Sequence, residues 1–555
     1  MKLKKLTDTT SVASQINVVD LQEIKEAGFR FVVCVRPDGE AQDQPTFLTI
    51  KSAAEAIGLH AYYIPIASEE ITVEAVRQLA GIFTTAHAPV LIYCRSGMRA
   101  AKLWSLAAAS ENSVSEILTI ARTAGFEFDS LNRRIENRGE PGRVAEMVSH
   151  KIVIVGAGAA GLATAASLLA RKSDLDIAVI DPAVTHYYQP AWTLVGAGVF
   201  PREKTARDMS AVIPDGVVRI LNEVVAFEPD NSLVILDDGR MVRYERLIVC
   251  PGLKLDWGAI EGLPETLGRN GVTSNYRYDL APYTWELVRD FKKGRAIFTQ
   301  PPMPIKCAGA PQKAMYLSAD HWTRTGRLGR VDIEMFNAGN VLFGIADYVP
   351  ALMEYVKRYD IGLKFGFNLV AVDGERKSAR FLRKLEDGSE ETVTAQFDML
   401  HVVPPQTAPD FIRVSPLVDK TGWVDVNQST LQHKVYPAIF ALGDVTNTPN
   451  AKTAAAARKQ APIVAHNVLR SLGDDEKEAI YDGYGSCPLT VERGKTVLAE
   501  FLYGGKVAPT LPTWLIDGKR PSRLAWMLKE RLLPEVYWNG MLKGREWLVA
   551  PKLAK

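Results

Sequence analysis

Two cysteines in this chain stand where a thiol becomes a thiolate. In Ala88-Pro-Val-Leu-Ile-Tyr-Cys94-Arg-Ser-Gly-Met-Arg99-Ala a buried strand runs into a cysteine, a short loop and a helix from Ala100 to Ala108. A loop wrapped at a helix start gathers backbone N–H groups around the sulfur, and Arg99 closes the cradle, so Cys94 is a candidate nucleophile that also binds an anion. The second is Cys307, in Ile305-Lys-Cys-Ala-Gly-Ala-Pro-Gln-Lys313. Pro311 suits a first helical position, which puts Cys307 just ahead of a helix start with Lys306 and Lys313 close by; dipole and charge both favour the thiolate.

A third constellation binds rather than reacts. Lys151-Ile-Val-Ile-Val-Gly156-Ala-Gly158-Ala159-Ala-Gly161 is followed by Asp181 at the end of the next apolar run, Ile177 to Ile180. The three glycines supply the tight turn, the close approach to a pyrophosphate and the helix packing, and the helix opening near Ala159 aims free N–H groups at the phosphates. Asp181 sits where a ribose hydroxyl docks. Strand, turn, helix and acid together define a dinucleotide-binding βαβ unit.

The elements around these residues fall into blocks. A chain of 555 residues is too long for one core. Residues 1–130 read as an α/β unit with a helix around Val19 to Ala27, strands Phe31 to Val35 and Val90 to Tyr93, an apolar stretch His60 to Ile66, and a helix from Val73. Residues 131–149 are polar and Gly/Pro-punctuated, a linker. A large α/β region fills 150–510, and a tail fills 511–555. No internal repeat or low-complexity tract occurs. A net charge of +2 gives no reason to expect nucleic acid as a partner. The five cysteines, Cys34, Cys94, Cys250, Cys307 and Cys487, include no CxxC pair, which excludes a zinc ribbon and leaves no metal site to propose. The N-terminus has basic residues without an apolar stretch behind them, and no run of eighteen apolar residues occurs, so the chain reads as cytoplasmic.

Tyr436-Pro-Ala-Ile-Phe-Ala-Leu-Gly443-Asp444 followed by Lys452-Thr453-Ala-Ala-Ala-Ala-Arg-Lys-Gln460 resembles the second FAD motif of two-dinucleotide-domain disulfide reductases. The resemblance implies FAD, with Asp444 on the ribityl chain and the helix start at Lys452 and Thr453 facing the flavin. In such reductases an inserted domain, here at about 290–375, carries a second glycine turn for NAD(P)H. In this chain the strand Arg295 to Gln300 runs instead into prolines and Cys307, so the pyrophosphate seat is lost and the electron donor is smaller.

His186-Tyr-Tyr-Gln189-Pro-Ala-Trp, Ile305 to Lys313, Leu400-His-Val-Val-Pro-Pro405, Gly422-Trp-Val-Asp-Val426 and Tyr481-Asp-Gly-Tyr-Gly-Ser-Cys487-Pro-Leu are similar to mitochondrial-type sulfide:quinone oxidoreductases, from about residue 150 to the C-terminus. The resemblance implies sulfide and quinone as substrates, Gln189 among the cofactor contacts, and a sulfur-carrying role for Cys307 beside the flavin. It also implies a second cysteine directly after the Gly-Asp motif, where this chain has Val445. Three replacements stay open: Cys250, in the Cys-Pro-Gly turn after the strand Arg246 to Cys250; Cys307 alone with an external small thiol; or a sulfur from the N-terminal domain. Cys487 reads as structural, and Cys34 as core.

Between Cys94 and Arg99 lie four residues. That loop length resembles single-domain sulfurtransferases of the rhodanese kind, whereas tyrosine phosphatases keep five. The stretch Asp20 to Glu40 instead resembles a small phosphatase-like family found beside sulfur-oxidation enzymes; before Val73 there are Glu69 and Glu70 but no Asp to act as a phosphatase acid. The fused flavoprotein favours sulfur: a persulfide needs an acceptor, and Cys94 is a sensible one. A phosphatase joined to a flavoprotein inactive on sulfide, and a flavin-bound redox or polysulfide sensor, are the competing functions.

From Leu511 to Lys555 nine Lys/Arg and four Asp/Glu interleave with Trp514, Trp526, Trp538 and Trp547. Such a stretch can lie in a membrane interface where quinone is reached. The expected fold is therefore α/β: a phosphatase-like α/β domain, a two-Rossmann-domain flavoprotein fold and a C-terminal amphipathic region, peripheral on the inner face of the cell membrane. Its oligomeric state stays open, a homo-oligomer included.

Overall fold

The structure is a computed structural model and describes residues 3–41, 44–66, 71–86, 88–110, 112, 114–126, 147–385, 388–474 and 476–554. Most of the expected linker, and Glu69 and Glu70, lie outside these. The chain divides into two compact units, Met1–Val148 with Val234–Met241, and Ser149–Leu233 with Val242–Lys555.

The first unit is built on a five-stranded sheet in the order Leu3–Lys5, Thr10–Ala13, Val90–Tyr93, Phe31–Cys34, His60–Tyr63. Only the outermost pair, Leu3–Lys5 with Thr10–Ala13, is antiparallel. Cys34 and Tyr93 point to one face, where Leu21, Ile24, Ile50 and Ala54 cover them. Val33, Ile92 and Cys94 point to the other, against Leu79, Leu103, Trp104 and Ile117. The strands read as short apolar runs because both faces are buried. Cys94 thus leaves the carboxyl end of the central strand, where open α/β sheets place ligands.

In the second unit Val217–Ile220, Ile177–Ile180 and Met147–Val155 pair in parallel, and Ile439–Ala441 pairs in parallel with Met241–Val249. Met147–Val155 begins inside the expected linker. Its extra turn of strand is held where Asp176 takes the N–H of Lys151 and the His150 ring.

A second parallel sheet has the order Val272–Thr273, Met399–His401, Gly294–Gln300, Val331–Asn337, Gly362–Phe365. It draws two strands from beyond the expected 290–375 insert, Val272–Thr273 and Met399–His401, which are only two and three residues long and carry no periodicity of their own to mark them in the sequence. Helix Ala310–Arg324 packs Met315, Ala319 and Trp322 on this sheet and on the hairpin Gly485–Glu492 with Lys495–Phe501, which brings Leu489, Val491 and Val497.

Candidate thiol and flavin site

The dinucleotide turn is close-packed on the inside and open on the outside. Gly156 has φ +104°, and a Cβ there would stand 2.6 Å from the Cys250 carbonyl; a Cβ on Gly161 would meet the Gly156 carbonyl at 1.9 Å. A Cβ added at Gly158 would meet nothing within 4 Å, so open space lies beside the start of helix Ala159–Arg171. This is what a pyrophosphate seat requires. Asp181 accepts the N–H groups of Ala157 (2.6 Å) and Ala183 (2.8 Å); burial raises its pKa against those bonds.

The second motif closes over the same place. Gly443, with φ +76°, comes up against Ala160, and its N–H is held by Gln460. Thr453 caps helix Ala454–Ser471 by accepting the Ala456 N–H. Lys452 donates to the Asp444 and Thr446 carbonyls, and burial lowers it to about 8. Burial also raises the Asp444 carboxyl, which Lys452 and Lys306 counter. Lys306 Nζ donates to Gln189 Oε1 at 2.6 Å and is itself lowered to about 8 by burial. A glycine cradle with free helix N–H groups, and an Asp countered by the buried Lys452 and the half-buried Lys306, fit FAD.

Strand Gly294–Gln300 leads through a proline-rich turn to Cys307, which sits three residues ahead of helix Ala310–Arg324. Its Sγ lies 3.2 Å from that of Cys487, and Lys313 Nζ reaches it at 3.3 Å. Cys487 comes from the middle of strand Gly485–Glu492, opposite Ala499. Gly309 makes the approach possible: a Cβ there would fall 2.7 Å from the Cys487 sulfur and 2.2 Å from Leu489 Cδ2.

The two sulfurs are driven apart in acidity. The hydrogen bond from Cys487 holds Cys307 well below the ordinary thiol range; burial opposes this, and the charges of Lys313 and Lys529 reinforce it. The same bond, with burial, pushes Cys487 well above that range. Burial works against the charge of Lys313, yet the two sulfurs hold its pKa up. Lys529, buried in the C-terminal tail and donating to the Pro190 carbonyl at 2.7 Å, is brought down to about 7 by burial and by Lys313.

The sulfur that lies beside Cys307 is that of Cys487, which reads from the sequence as structural. Cys250 is buried with its thiol turned to the Gly156 carbonyl at 3.6 Å, forming the floor of the glycine turn. Val445, where a cysteine was implied, is fully buried in the turn Gly443–Val445. Lys529 escaped sequence reading because a lysine in a basic tail looks solvated; only its fold turns it inward. The tail divides: Trp526 and Trp538 are buried, while Trp514 and Trp547 are exposed at 84% and 49%.

In the first unit Gly97, with φ +88°, caps helix Met98–Ala107 and donates its N–H to Cys94 Sγ at 3.1 Å. The Arg99 guanidinium is taken up by Glu40 (2.7 Å) and by the Ile66 carbonyl (2.6 Å). Arg36, almost fully buried, grips the same carboxylate at 2.6 Å and Gln15 at 2.9 Å. Burial would raise the Glu40 pKa, but the bonds from Arg99 and Arg36 hold it below the usual value.

Two parallel-sheet nucleotide folds, a dinucleotide cradle and a thiol pair set beside it define a flavoprotein of the disulfide-reductase type. Residues 150–289 match the family model of pyridine nucleotide-disulphide oxidoreductases, and residues 2–111 match the phosphatase-like domain of beta-lactamase hydrolase-like proteins. The cofactor is FAD. The mitochondrial sulfide:quinone oxidoreductase of Dictyostelium discoideum is 41% identical over 398 residues, 71% of this chain and 86% of the relative. That of Mus musculus is 38% identical, over 71% of this chain and 87% of the relative. The chain belongs to the sulfide:quinone oxidoreductase family. The crystal structure of the sulfide:quinone oxidoreductase from Aquifex aeolicus shares the fold, with a TM-score of 0.60 at 18% identity over 74% of this chain and 98% of that one.

Proposed function

We propose that the protein oxidises sulfide at a Cys307–Cys487 disulfide and delivers the electrons to a quinone. The 3.2 Å approach of two sulfurs with opposed acidities carries this reading. Hydrosulfide attacks one sulfur of the disulfide, a new S–S bond forms and the old one breaks. The less basic thiolate leaves faster, so Cys307 departs, steadied by Lys313 and the helix start, and the persulfide is left on Cys487. This inverts the role expected for Cys307. Its neighbour Lys306 bridges to Lys452, and the Cys307 charge acts on the Asp444 carboxyl, which supports Cys307 as the sulfur facing the flavin motif.

FAD, when bound, supplies a two-electron acceptor that quinone reoxidises. A small thiol removes the outer sulfur from Cys487, leaving two thiolates. These two thiolates would re-form the disulfide and give up an electron pair, which FAD held by the glycine turn and Asp444 would be placed to accept. In sum, sulfide, thiol and quinone give a persulfide and a quinol.

Cys94, with the Gly97 N–H on its sulfur, is our candidate for receiving sulfur in the phosphatase-like unit; the Arg99 guanidinium, expected on the anion, is taken up instead by Glu40 and the Ile66 carbonyl. Among the described residues no helix is long and apolar enough to cross a membrane. The exposed Trp514, Leu515, Leu532, Trp547 and Leu548 of the tail support a peripheral site on the cell membrane, where quinone is reached.

Anaerobic titration with sulfide, followed by the flavin spectrum, tests the central reading. The parent bleaches, and Cys307→Ser and Cys487→Ser each abolish bleaching. Bleaching retained in Cys487→Ser sinks the pair; a parent that never bleaches favours the sensor. Aryl-phosphate hydrolysis dependent on Cys94 would make the first unit a phosphatase instead.

A further inference from the structure

Cys307 has φ +79°, a left-handed conformation uncommon for any residue with a Cβ. Such geometry persists only when the surroundings over-determine it, and it gathers where a site needs a side chain aimed. The constraints on Cys307 can be named. Its φ is set by the peptide plane that joins Lys306 to Cys307, and the carbonyl of that plane accepts the Tyr276 hydroxyl at 3.2 Å. The preceding plane is fixed where the Lys306 N–H donates to Gln406 Oε1 at 2.7 Å. On the far side, the Cys307 carbonyl accepts the Ala310 N–H at 2.6 Å, which belongs to the helix start.

Both clamping side chains are anchored elsewhere. Gln406 stands opposite Leu255 in the short ladder of Lys254–Leu255 with Gln406–Thr407. Tyr276 follows strand Val272–Thr273, its own N–H held by Ser274. Each is at least nine-tenths buried. The hydroxyl of Tyr276 donates to the Lys306 carbonyl, and the tyrosine feels the charges of both Cys307 and Cys487.

We infer that Tyr276 and Gln406 are positioning residues: by gripping the Lys306 peptide from both sides they hold Cys307 in the left-handed conformation that sets its sulfur against Cys487. The inference rests on the reading of Cys307 and Cys487 as the reacting pair. Proximity of this kind acts as a high effective concentration of one thiol for the other. Loosening the clamp therefore weakens the disulfide even with both cysteines present.

The test uses the holoenzyme of the parent, Tyr276→Phe and Gln406→Ala, equilibrated anaerobically with mixtures of oxidised and reduced dithiothreitol. As the protein disulfide forms, its two thiols give two electrons and two protons to the dithiothreitol disulfide, which becomes the dithiol. The bridged fraction is read by alkylation and peptide mass spectrometry, with circular dichroism and flavin absorbance recorded on the same samples. Tyr276→Phe removes one oxygen and keeps the ring. We expect the equilibrium constant for the bridge to fall by about tenfold in Tyr276→Phe, or about 30 mV for a two-electron couple, and in the same direction in Gln406→Ala. Folded, flavin-bound variants with the parent's equilibrium constant overturn the inference. A parent that forms no bridge at any mixture overturns the reading of the pair instead.

Discussion

The sulfurs of Cys307 and Cys487 stand 3.2 Å apart although 180 residues of chain separate them, and the bond between them is asymmetric. With its pKa pushed up, Cys487 is the protonated partner whose S–H donates, and Cys307, held down and also taken up by Lys313, accepts as the thiolate. One cysteine lies at a helix start among lysines and the other in the middle of a strand, so their environments divide the labour of a single redox pair.

That asymmetry predicts the pH profile of alkylation. Because Cys307 is held below the ordinary thiol value of 9.0, its reaction with iodoacetamide stays on the thiolate plateau as pH falls through that value. Cys487→Ala removes the largest cause, the hydrogen bond, so the profile moves back up and Cys307 slows at neutral pH. Lys529→Met moves it in the same direction by a smaller step. An unmoved profile in both variants counts against the assigned causes. The readout is the alkylated Cys307 peptide by mass spectrometry across a pH series.

Gly309→Ala tests the contact sterically. Its methyl would need space that Leu489 and the Cys487 sulfur occupy, so the hairpin must shift. Overpacking of this kind costs about 1–3 kcal/mol, seen as a lower Tm, and the variant should lose sulfide-dependent flavin bleaching while keeping flavin. A variant as stable and as active as the parent would show that the two sulfurs do not need this approach.

The Arg36–Glu40–Arg99 cluster predicts a pH-dependent stability in the first unit. The folded pKa of Glu40 is lowered, so its contribution is present above the ordinary value of 4.5 and is lost as pH falls through the folded value. Glu40→Gln should cost about 1 kcal/mol at neutral pH, the partial exposure of the carboxylate limiting the effect. It should cost nothing at acid pH. Amide hydrogen exchange of strands Phe31–Cys34 and Val90–Tyr93 in the full chain measures it; equal protection of parent and variant at neutral pH would refute the assignment.

Trp514→Ser and Leu548→Ser address the tail. Both side chains are exposed, at 84% and 71%. If they enter a bilayer surface, each substitution lowers binding to lipid vesicles roughly tenfold, the worth of one apolar side chain. Unchanged co-sedimentation would leave those residues without a membrane role.

Local features were legible in the sequence, and contacts between distant segments were not. Cys307 declared itself because Lys306, Pro311 and Lys313 all lie within six residues of it, and helix Ala310–Arg324 begins where the proline indicated. Strands Ile177–Ile180 and Val90–Tyr93 were read to the residue, since each is an apolar run buried on both faces. Cys487 was hidden because a cysteine in a buried strand has the same pattern as any small apolar residue. The hold of Glu40 on Arg99 spans 59 residues and leaves no local trace. The tail read as one amphipathic stretch, whereas its buried members, Trp526, Lys529 and Trp538, serve the interior.

The inward turn of Lys529 has a consequence for biosynthesis. Cys307 is made first, Cys487 much later, and Lys529 later still. A chain synthesised only past Cys307 therefore carries an isolated thiol with neither its proton donor nor Lys529, and the chemistry of the pair waits until both have been made.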